Sequence, residues 1–363
     1  MRFPDNNLPP LFTILEQLYK QTTLTFQESN TFQTTSGVRQ GGPESPFLFN
    51  LYIDFVMRVF MSEANAESIN FYKHSYRLNP RSISRANRIS MRENNLRNWG
   101  TSTLPWCGYA DDLILFLISQ LDLQSSINFL DQTFTRFGLS INALKTESMI
   151  LNCTEQDYPK SIIKLRNIDI NNVKTFKYLG AFIHFEEPNT GDIEINYRIQ
   201  QATNKFSEMT NLLQNFNVHL KTRIIFLNSY VRSRLIYSCQ NWNLYSSQLE
   251  RLNVTYRRFL RRMIRGGFRF VNESNNDFRY QVTNKRLHEI CGTSDLSNFI
   301  GKQQLVYAKH VIRMTHERSI KLLMFNDDKY TKRGRPFKTL LDQVTDQNSL
   351  TTDGLCNSAM LRK

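Results

Sequence analysis

The sequence predicts an α+β fold: an antiparallel sheet with helices in the first part, and a second part made mainly of helices. Three observations carry this. Up to about residue 185, short apolar or alternating runs bounded by turn residues recur between helical patterns. From Ile193 onward, long patterns of ~3.6-residue period dominate. Between the two, EEPNTGD at 186–192 breaks both patterns. With 40% hydrophobic and 12% aromatic residues, the 363-residue chain has material for a real core.

In chain order, LPPLFTILEQLYK (8–20) sets Leu11, Ile14, Leu15 and Leu18 at helical spacing. Residues 22–35, rich in Thr, Phe and Gln, read as a short hairpin. After the Gly41-Gly42-Pro43 break, PFLFNLYIDFVMRVF (46–60) reads as a helix buried on most sides. Residues 61–105 show no clear period. Their Lys73, Arg77, Arg81, Arg85, Arg88, Arg92 and Arg97 among Ser and Asn read as a solvated basic loop. TLPWCGY and LILFLI are short strands on either side of a tight turn at 110–112, and an amphipathic helix over 122–137 closes at Gly138. ESMILN (147–152) and FKYLGAFI (176–183) are strand-like, with a polar connection between them. Helices follow at 193–216, 219–237, 246–265 and 297–315, and a polar, frayed tail begins near 341. The expected division is 1–189 with the basic loop 61–105 inside it, then helical 190–265, then a helical and basic tail region 266–363.

The formal net charge of +14 points to a polyanionic partner, nucleic acid before a membrane surface. The longest apolar run, Leu113 to Ile118, is far short of the roughly 20 residues that span a bilayer. MRFPDNN has no signal-peptide stretch. Five scattered cysteines without a CxxC pair argue against a zinc knuckle or a disulfide framework. The expected location is intracellular, nuclear or cytoplasmic, and not secreted.

Four motifs occur in a fixed order: SGVRQGGPESPFLFN (36–50), YADDLILF (109–116), GLSINALKTESMIL (138–151) and FKYLGAFI (176–183). Alone, Tyr-Ala-Asp-Asp is also what a polar turn between strands looks like. In this order and spacing, the set resembles the palm of reverse transcriptases from LINE-type (non-long-terminal-repeat) retrotransposons, from the template-gripping motif onward. HLKTRIIFLNSYVRSRLIYSCQNWNL (219–244) resembles that family's thumb. LVYAKHVIRM (305–314) with KRGRPFKTLLDQV (332–344) resembles the end of such elements.

The resemblance implies a right-hand polymerase palm followed by an α-helical thumb and tail. It implies RNA-directed DNA synthesis from an RNA template, a DNA primer and deoxynucleotides, by in-line phosphoryl transfer at two Mg²⁺ ions about 3.5–4 Å apart. It makes Asp111 the metal ligand of the hairpin tip, with Asp112 beside it on the other face of the strand. It gives Lys145 the task of protonating or neutralising the leaving pyrophosphate; a surface lysine after a turn reads the same. Gly37, Gly41 and Gly42 permit close backbone approach, so that Arg39 and Gln40 meet the templating pair or the incoming nucleotide. The alternative there is an ordinary loop before a helix. Many relatives carry Asp-Pro-Leu-Ser-Pro where this chain has Gly42-Pro43-Glu44-Ser45-Pro46. Tyr178, Leu179 and Gly180 stand where the family grips the primer, or else form a core hairpin.

The family also places an aspartate upstream on another palm strand. Asp5 follows no apolar strand and reads as a helix-flanking residue, and Asp54 reads as a partner of Arg58 four residues on. The expectation is therefore an N-terminally truncated palm whose two-ion site is incomplete and which, alone, does not extend a primer. Self-association through its open sheet edge is also expected. The alternative is a non-catalytic nucleic-acid-binding remnant.

Arg257, Arg261 and Arg265 recur every four residues with Arg258 and Arg262 beside them, opposite Leu252, Phe259 and Met263. This basic stripe suits phosphate, though a solvated helix face has the same pattern. Arg333 and Arg335, in Arg-Gly-Arg-Pro, resemble an AT-hook.

Overall fold

The computed structural model describes residues 17, 22–26, 30–34, 37–39, 41–77, 99–151, 159, 161–185, 191–264, 268–272, 277–280, 282–315, 318–324 and 339–360. The helix expected at 8–20 lies outside them apart from Gln17. The α+β class holds: small sheets come first and a helical part follows.

Strands β1 (Thr22–Phe26) and β2 (Asn30–Thr34) make the expected hairpin, Leu24 opposite Phe32. Helix α1 (Ser45–Ala66) begins with a proline in its first turn, where a missing N–H loses no hydrogen bond. It is not buried on most sides. Ile53, Val56, Met57, Phe60 and Ala64 are buried, while Phe47, Leu51, Tyr52 and Phe55 are exposed. A run apolar all round carries no period from which to choose the buried side.

The stretch 61–105 is not all loop. β3 (Lys73–Arg77) pairs antiparallel with β4 (Trp99–Thr103), His74 opposite Ser102, and residues 78–98 lie outside the described set. Both strands are polar and distant in sequence, so no apolar alternation marks them. β5 (Trp106–Tyr109), β6 (Asp112–Leu115) and helix α2 (Gln120–Arg136) fall where expected, and Gly138 closes α2 at φ 71°. ESMILN contributes only β7 (Glu147–Ser148). The polar connection after it contains a hairpin, β8 (Ser161–Leu165) and β9 (Ile168–Asn172), turned by Arg166 and Asn167 at φ 49° and 66°. Arg-Asn lacks the glycine that usually announces such a turn. β7 pairs with β9 in parallel, a departure from the all-antiparallel expectation. β10 (Thr175–Tyr178) and β11 (Ala181–His184) form the hairpin of the fourth motif.

The helical part runs from α3 (Asp192–Glu208) through α4 (Leu220–Phe226), which continues as a π-helical segment, Leu227–Arg232. Then come α5 (Ser246–Ile264), a hairpin of β12 (Phe268–Asn272) and β13 (Asp277–Tyr280), α6 (Asn284–Cys291) and α7 (Leu296–Arg313). α8 (Ser319–Met324), α9 (Leu340–Gln347) and α10 (Thr352–Met360) follow. The tail is thus not frayed. α9 starts at a reciprocal capping box between Thr339 and Asp342, and Leu355, Cys356 and Ala359 of α10 pack with Ala308, Ile312 and Val344. Tertiary burial holds these short helices where polar composition suggests coil.

Contacts divide the chain into two compact units. One unit comprises Met1–Asn70, Trp106–Leu115 and Ser125–Ile141. Within it, Glu63 of α1 pairs with Arg136 of α2 at 2.6 Å and accepts from Thr133 Oγ1 at 3.2 Å. Tyr52 donates to the Phe137 carbonyl, and Phe55 meets the Phe137 ring edge-on at 5.6 Å. The other unit comprises Phe71–Pro105, Phe116–Gln124 and Asn142–Lys363. Its main core includes Ile195, Phe206, Leu227, Tyr256, Leu260 and Ile300, with Phe206 and Phe259 stacked at 4.9 Å. Buried Arg223 donates to the carbonyls of Val218 (3.0 Å), Leu213 (3.2 Å) and Met263 (2.9 Å), placing a cation at the C-terminal end of α5. Among the described residues no helix is long and apolar enough to cross a membrane, and Cys107, Cys239, Cys291 and Cys356 are in no disulfide.

Candidate active site and nucleic-acid interface

Tyr109 pairs with Asp112 across β5 and β6, which leaves Ala110 and Asp111 as a two-residue turn. Ala110 has φ 53°, a left-handed conformation that costs a residue with a Cβ roughly 1–2 kcal/mol. Asp111 and Asp112 are both exposed at this tip, beside Tyr109, which is 66% exposed. Under the tip, a Cβ on Gly108 would come within 2.8 Å of Leu113 Cδ2 and 3.0 Å of Trp106 Cζ3. That glycine lets the two side chains close beneath the carboxylates; its role was not legible before its neighbours were placed. Ala110→Gly should relieve the turn and raise stability by about 1 kcal/mol. A urea melt that shows no gain, or a loss, contradicts the strain assigned to this turn.

The first motif lies in the same unit as this hairpin. Gly37 and Gly41 adopt φ 92° and 87°, which only glycine takes without strain. Arg39 is exposed, and its carbonyl accepts from Ser45 Oγ at 2.6 Å and Gly42 N at 3.3 Å, folding the loop onto the start of α1. Gln40 lies outside the described residues. Asp54 is paired with Arg58 at 2.7 Å, as expected.

Lys145 of the third motif and the whole fourth motif belong to the other unit. Lys145 is exposed on a turn organised by Asn142. Asn142 Oδ1 accepts from Leu144 N (3.1 Å) and Lys145 N (3.3 Å), and its carbonyl accepts from Thr146 Oγ1 (2.8 Å). Asn142 went unremarked in the sequence, although an asparagine two and three residues before the N–H groups it caps is a readable signal. Leu179 and Gly180 are the central residues of the β10–β11 turn, at φ 48° and 80°. Side chains from the helical part hold that turn. Arg198 donates to the Gly180 carbonyl, and Tyr237 Oη donates to the Leu179 carbonyl at 2.9 Å. Glu194 accepts from Phe182 N at 2.9 Å and from Arg198 Nε at 2.6 Å.

The arginines of α5 divide by face. Arg257 and Arg261 are buried, each 7% exposed. Arg257 binds Asp295 at 2.9 Å and Glu250, while Arg261 donates to Asn284 Oδ1 at 2.7 Å and the Val282 carbonyl at 3.3 Å. At Arg257 and Arg261 the repeat of four therefore marks an inward face. The lack of acidic residues at 257–265 concealed partners that lie outside that stretch, Glu250 on the same helix and Asp295 and Asn284 beyond it. Arg258 and Arg262 are exposed, Arg262 resting over the Phe206 ring at 4.7 Å from its centroid. Arg265, Arg333 and Arg335 lie outside the described residues.

Residues 4–183 match the family model described as reverse transcriptase (RNA-dependent DNA polymerase). The match spans the first-motif loop, the Asp111 hairpin, the Lys145 turn and the turn at 179–180. No curated protein matches the chain.

Proposed function

We propose that the chain serves as an RNA-directed DNA polymerase of the non-long-terminal-repeat retrotransposon type, copying an RNA template onto a DNA primer from deoxynucleotides. The observation that carries this reading is the adjacent carboxylate pair Asp111–Asp112, exposed on a strained two-residue turn inside the span that matches the reverse transcriptase family. A short turn on paired strands gives a carboxylate little freedom to relax, as a charge-stabilising site requires.

Mg²⁺ binds through one or two carboxylates together with substrate phosphates. The tip suits the protein's share of one such ion, with Asp111 as the ligand. Asp111 is the one ligand assigned to the tip; among the described residues no three His, Cys, Asp or Glu side chains converge. In polymerase chemistry the bound ions stabilise the attacking and leaving oxygens. The chain's own residues have other tasks. Lys145, on its Asn142-capped turn, offers a proton or a positive charge to the departing pyrophosphate. Tyr178, Leu179 and Gly180 hold the primer backbone. Gly37 and Gly41 let the loop approach a base pair closely, and Arg39 and Gln40 are the residues assigned to meet it.

The test is primer extension on an RNA template with Mg²⁺. It compares the chain alone with the chain fused behind the fingers and first palm strand of a related element. Template-directed extension by the fusion is expected. Extension by the chain alone would place the whole two-ion donor set within this sequence. A fusion that folds and binds template–primer yet adds nothing rejects the polymerase reading.

A second reading, a non-catalytic nucleic-acid-binding module, is favoured by the net charge of +14. Both readings put phosphate against the exposed side of α5. Arg258→Gln with Arg262→Gln should weaken template–primer binding alike for all sequences and lower the salt slope by about two. Arg257→Gln should instead act mainly on stability, through its lost ion pairs. Filter binding across a salt series distinguishes the two, and an unchanged slope in the double variant rejects this face.

A further inference from the structure

The turn at Leu179–Gly180 is held far more firmly than a two-residue hairpin requires. A type I′ turn normally carries Asn-Gly or Asp-Gly, because both central residues need φ above zero. Here the first is a leucine at φ 48°, a conformation that β-carbon crowding opposes by roughly 1–2 kcal/mol. Leu179 gains little burial in return, since it is 39% exposed. Strain that the surroundings over-determine is a reason to look for function.

The surroundings are specific. Both turn carbonyls are taken, Leu179 by the Tyr237 hydroxyl at 2.9 Å and Gly180 by the Arg198 guanidinium. Arg198 is in turn fixed by Glu194, at 2.6 Å, in an ion pair whose side chains are 7% and 3% exposed. The second Glu194 oxygen accepts from Phe182 N at 2.9 Å, just past the turn. The Arg198 guanidinium also lies over the Tyr237 ring, 4.7 Å from its centroid. A Cβ on Gly180 would meet Tyr237 Cε1 at 3.3 Å, so the ring sits directly against the turn. Tyr237 follows the π-helical segment Leu227–Arg232, an irregularity that turns the residues after it out of α-helical register. The ring is still 48% exposed, beside exposed Leu179.

We infer that Glu194, Arg198 and Tyr237 are positioning residues that lock the 179–180 turn so that it presents a fixed surface to the primer's 3′ end. The inference rests on the primer-holding role proposed for Tyr178–Gly180. Arg198 and Glu194 are the buried anchor. Tyr237 is the adjustable member, since its hydroxyl fixes the turn while its exposed ring edge stays beside the bound strand. None of the three is proposed to touch the reacting atoms.

Tyr237→Phe tests this with little risk to folding, because it keeps the ring over Arg198 and removes only a hydroxyl from a half-exposed residue. Fluorescence anisotropy on the full chain would compare two RNA–DNA duplexes of equal length, one with a recessed primer 3′ end and one with its ends closed by loops. The wild type should prefer the recessed end. Tyr237→Phe should lose about five- to tenfold in affinity for that duplex alone, with an unchanged melting temperature and unchanged affinity for the closed duplex. Arg198→Lys, which keeps the charge beside Glu194 but not the planar fork, should reduce the same preference. Equal loss on both duplexes, or no loss on either, overturns the positioning role. A wild type with no preference for the recessed end overturns the primer-holding role itself, and this proposal with it.

Discussion

Asp111→Asn should reduce template-directed nucleotide addition at least about a hundredfold, because metal-assisted charge stabilisation contributes several kcal/mol and each 1.36 kcal/mol is tenfold in rate. Asn keeps the size and hydrogen-bonding shape of the side chain and removes its charge. Asp111 is exposed, so the fold has no stake in that charge. The variant should melt as the wild type does and bind template–primer with the same salt dependence. A second readout does not need turnover: Mn²⁺ titrated by electron paramagnetic resonance, with template–primer and deoxynucleotide present, should bind more weakly to Asp111→Asn. Asp112→Asn should do less in both assays, since Asp112 opens strand β6 and adjacent strand residues point to opposite faces. Equal rates for wild type and Asp111→Asn in the extension-competent fusion would remove the metal role from this hairpin.

Glu194→Ala should destabilise the protein by about 3–5 kcal/mol, the usual cost of stripping one partner from a buried ion pair. The carboxylate is 3% exposed and Arg198 is 7% exposed, so water cannot replace what is lost. Two groups lose their carboxylate together, the Arg198 guanidinium and the Phe182 N–H. The second loss joins the helix to strand β11, so loosening should reach the β10–β11 hairpin. Replacing both members, Glu194→Met with Arg198→Met, should cost less than Glu194→Ala alone, because no charge is left buried without a partner. Urea unfolding at constant m-value measures both. A Glu194→Ala cost below about 1 kcal/mol would mean that the pair is not buried in solution.

Much of this molecule could be read along the chain where local chemistry decides the outcome. The 109–112 turn, α2 with its closing Gly138, and the start of α3 after the Pro-Asn-Thr-Gly break each carry their own signal. Reading failed where the deciding contact comes from elsewhere. The buried side of α1 has no local signal, and its contacts with α2, such as Glu63 with Arg136, come from 73 positions away. Arg257 looked like a solvent-facing phosphate ligand, but its partner Asp295 lies 38 positions away. Of the candidate site, the Asp111 tip and the 179–180 turn were visible as motifs. Their supports were not: Gly108 matters only because Trp106 and Leu113 close on it, and Tyr237 reaches Leu179 across 58 positions. The β8–β9 hairpin was missed for a local reason, since its Arg-Asn turn uses neither of the common turn pairs.

Helix α7 belongs to two cores at once. Leu296 and Ile300 near its start sit among the side chains of α3, α4 and α5, whereas Ala308 and Ile312 near its end are covered by α9 and α10. Between them Gln304, wholly buried, donates to the carbonyls of Cys239 and Trp242 at 3.3 and 2.7 Å. The last helices are therefore a lid over the far end of a shared spine, not an appendage. A shortened version ending ahead of Thr339 would bare a greasy flank on a helix that the main core still holds rigid, the kind of surface that makes a protein stick to its neighbours. Purification handles belong beyond Met360, where they leave that cover in place.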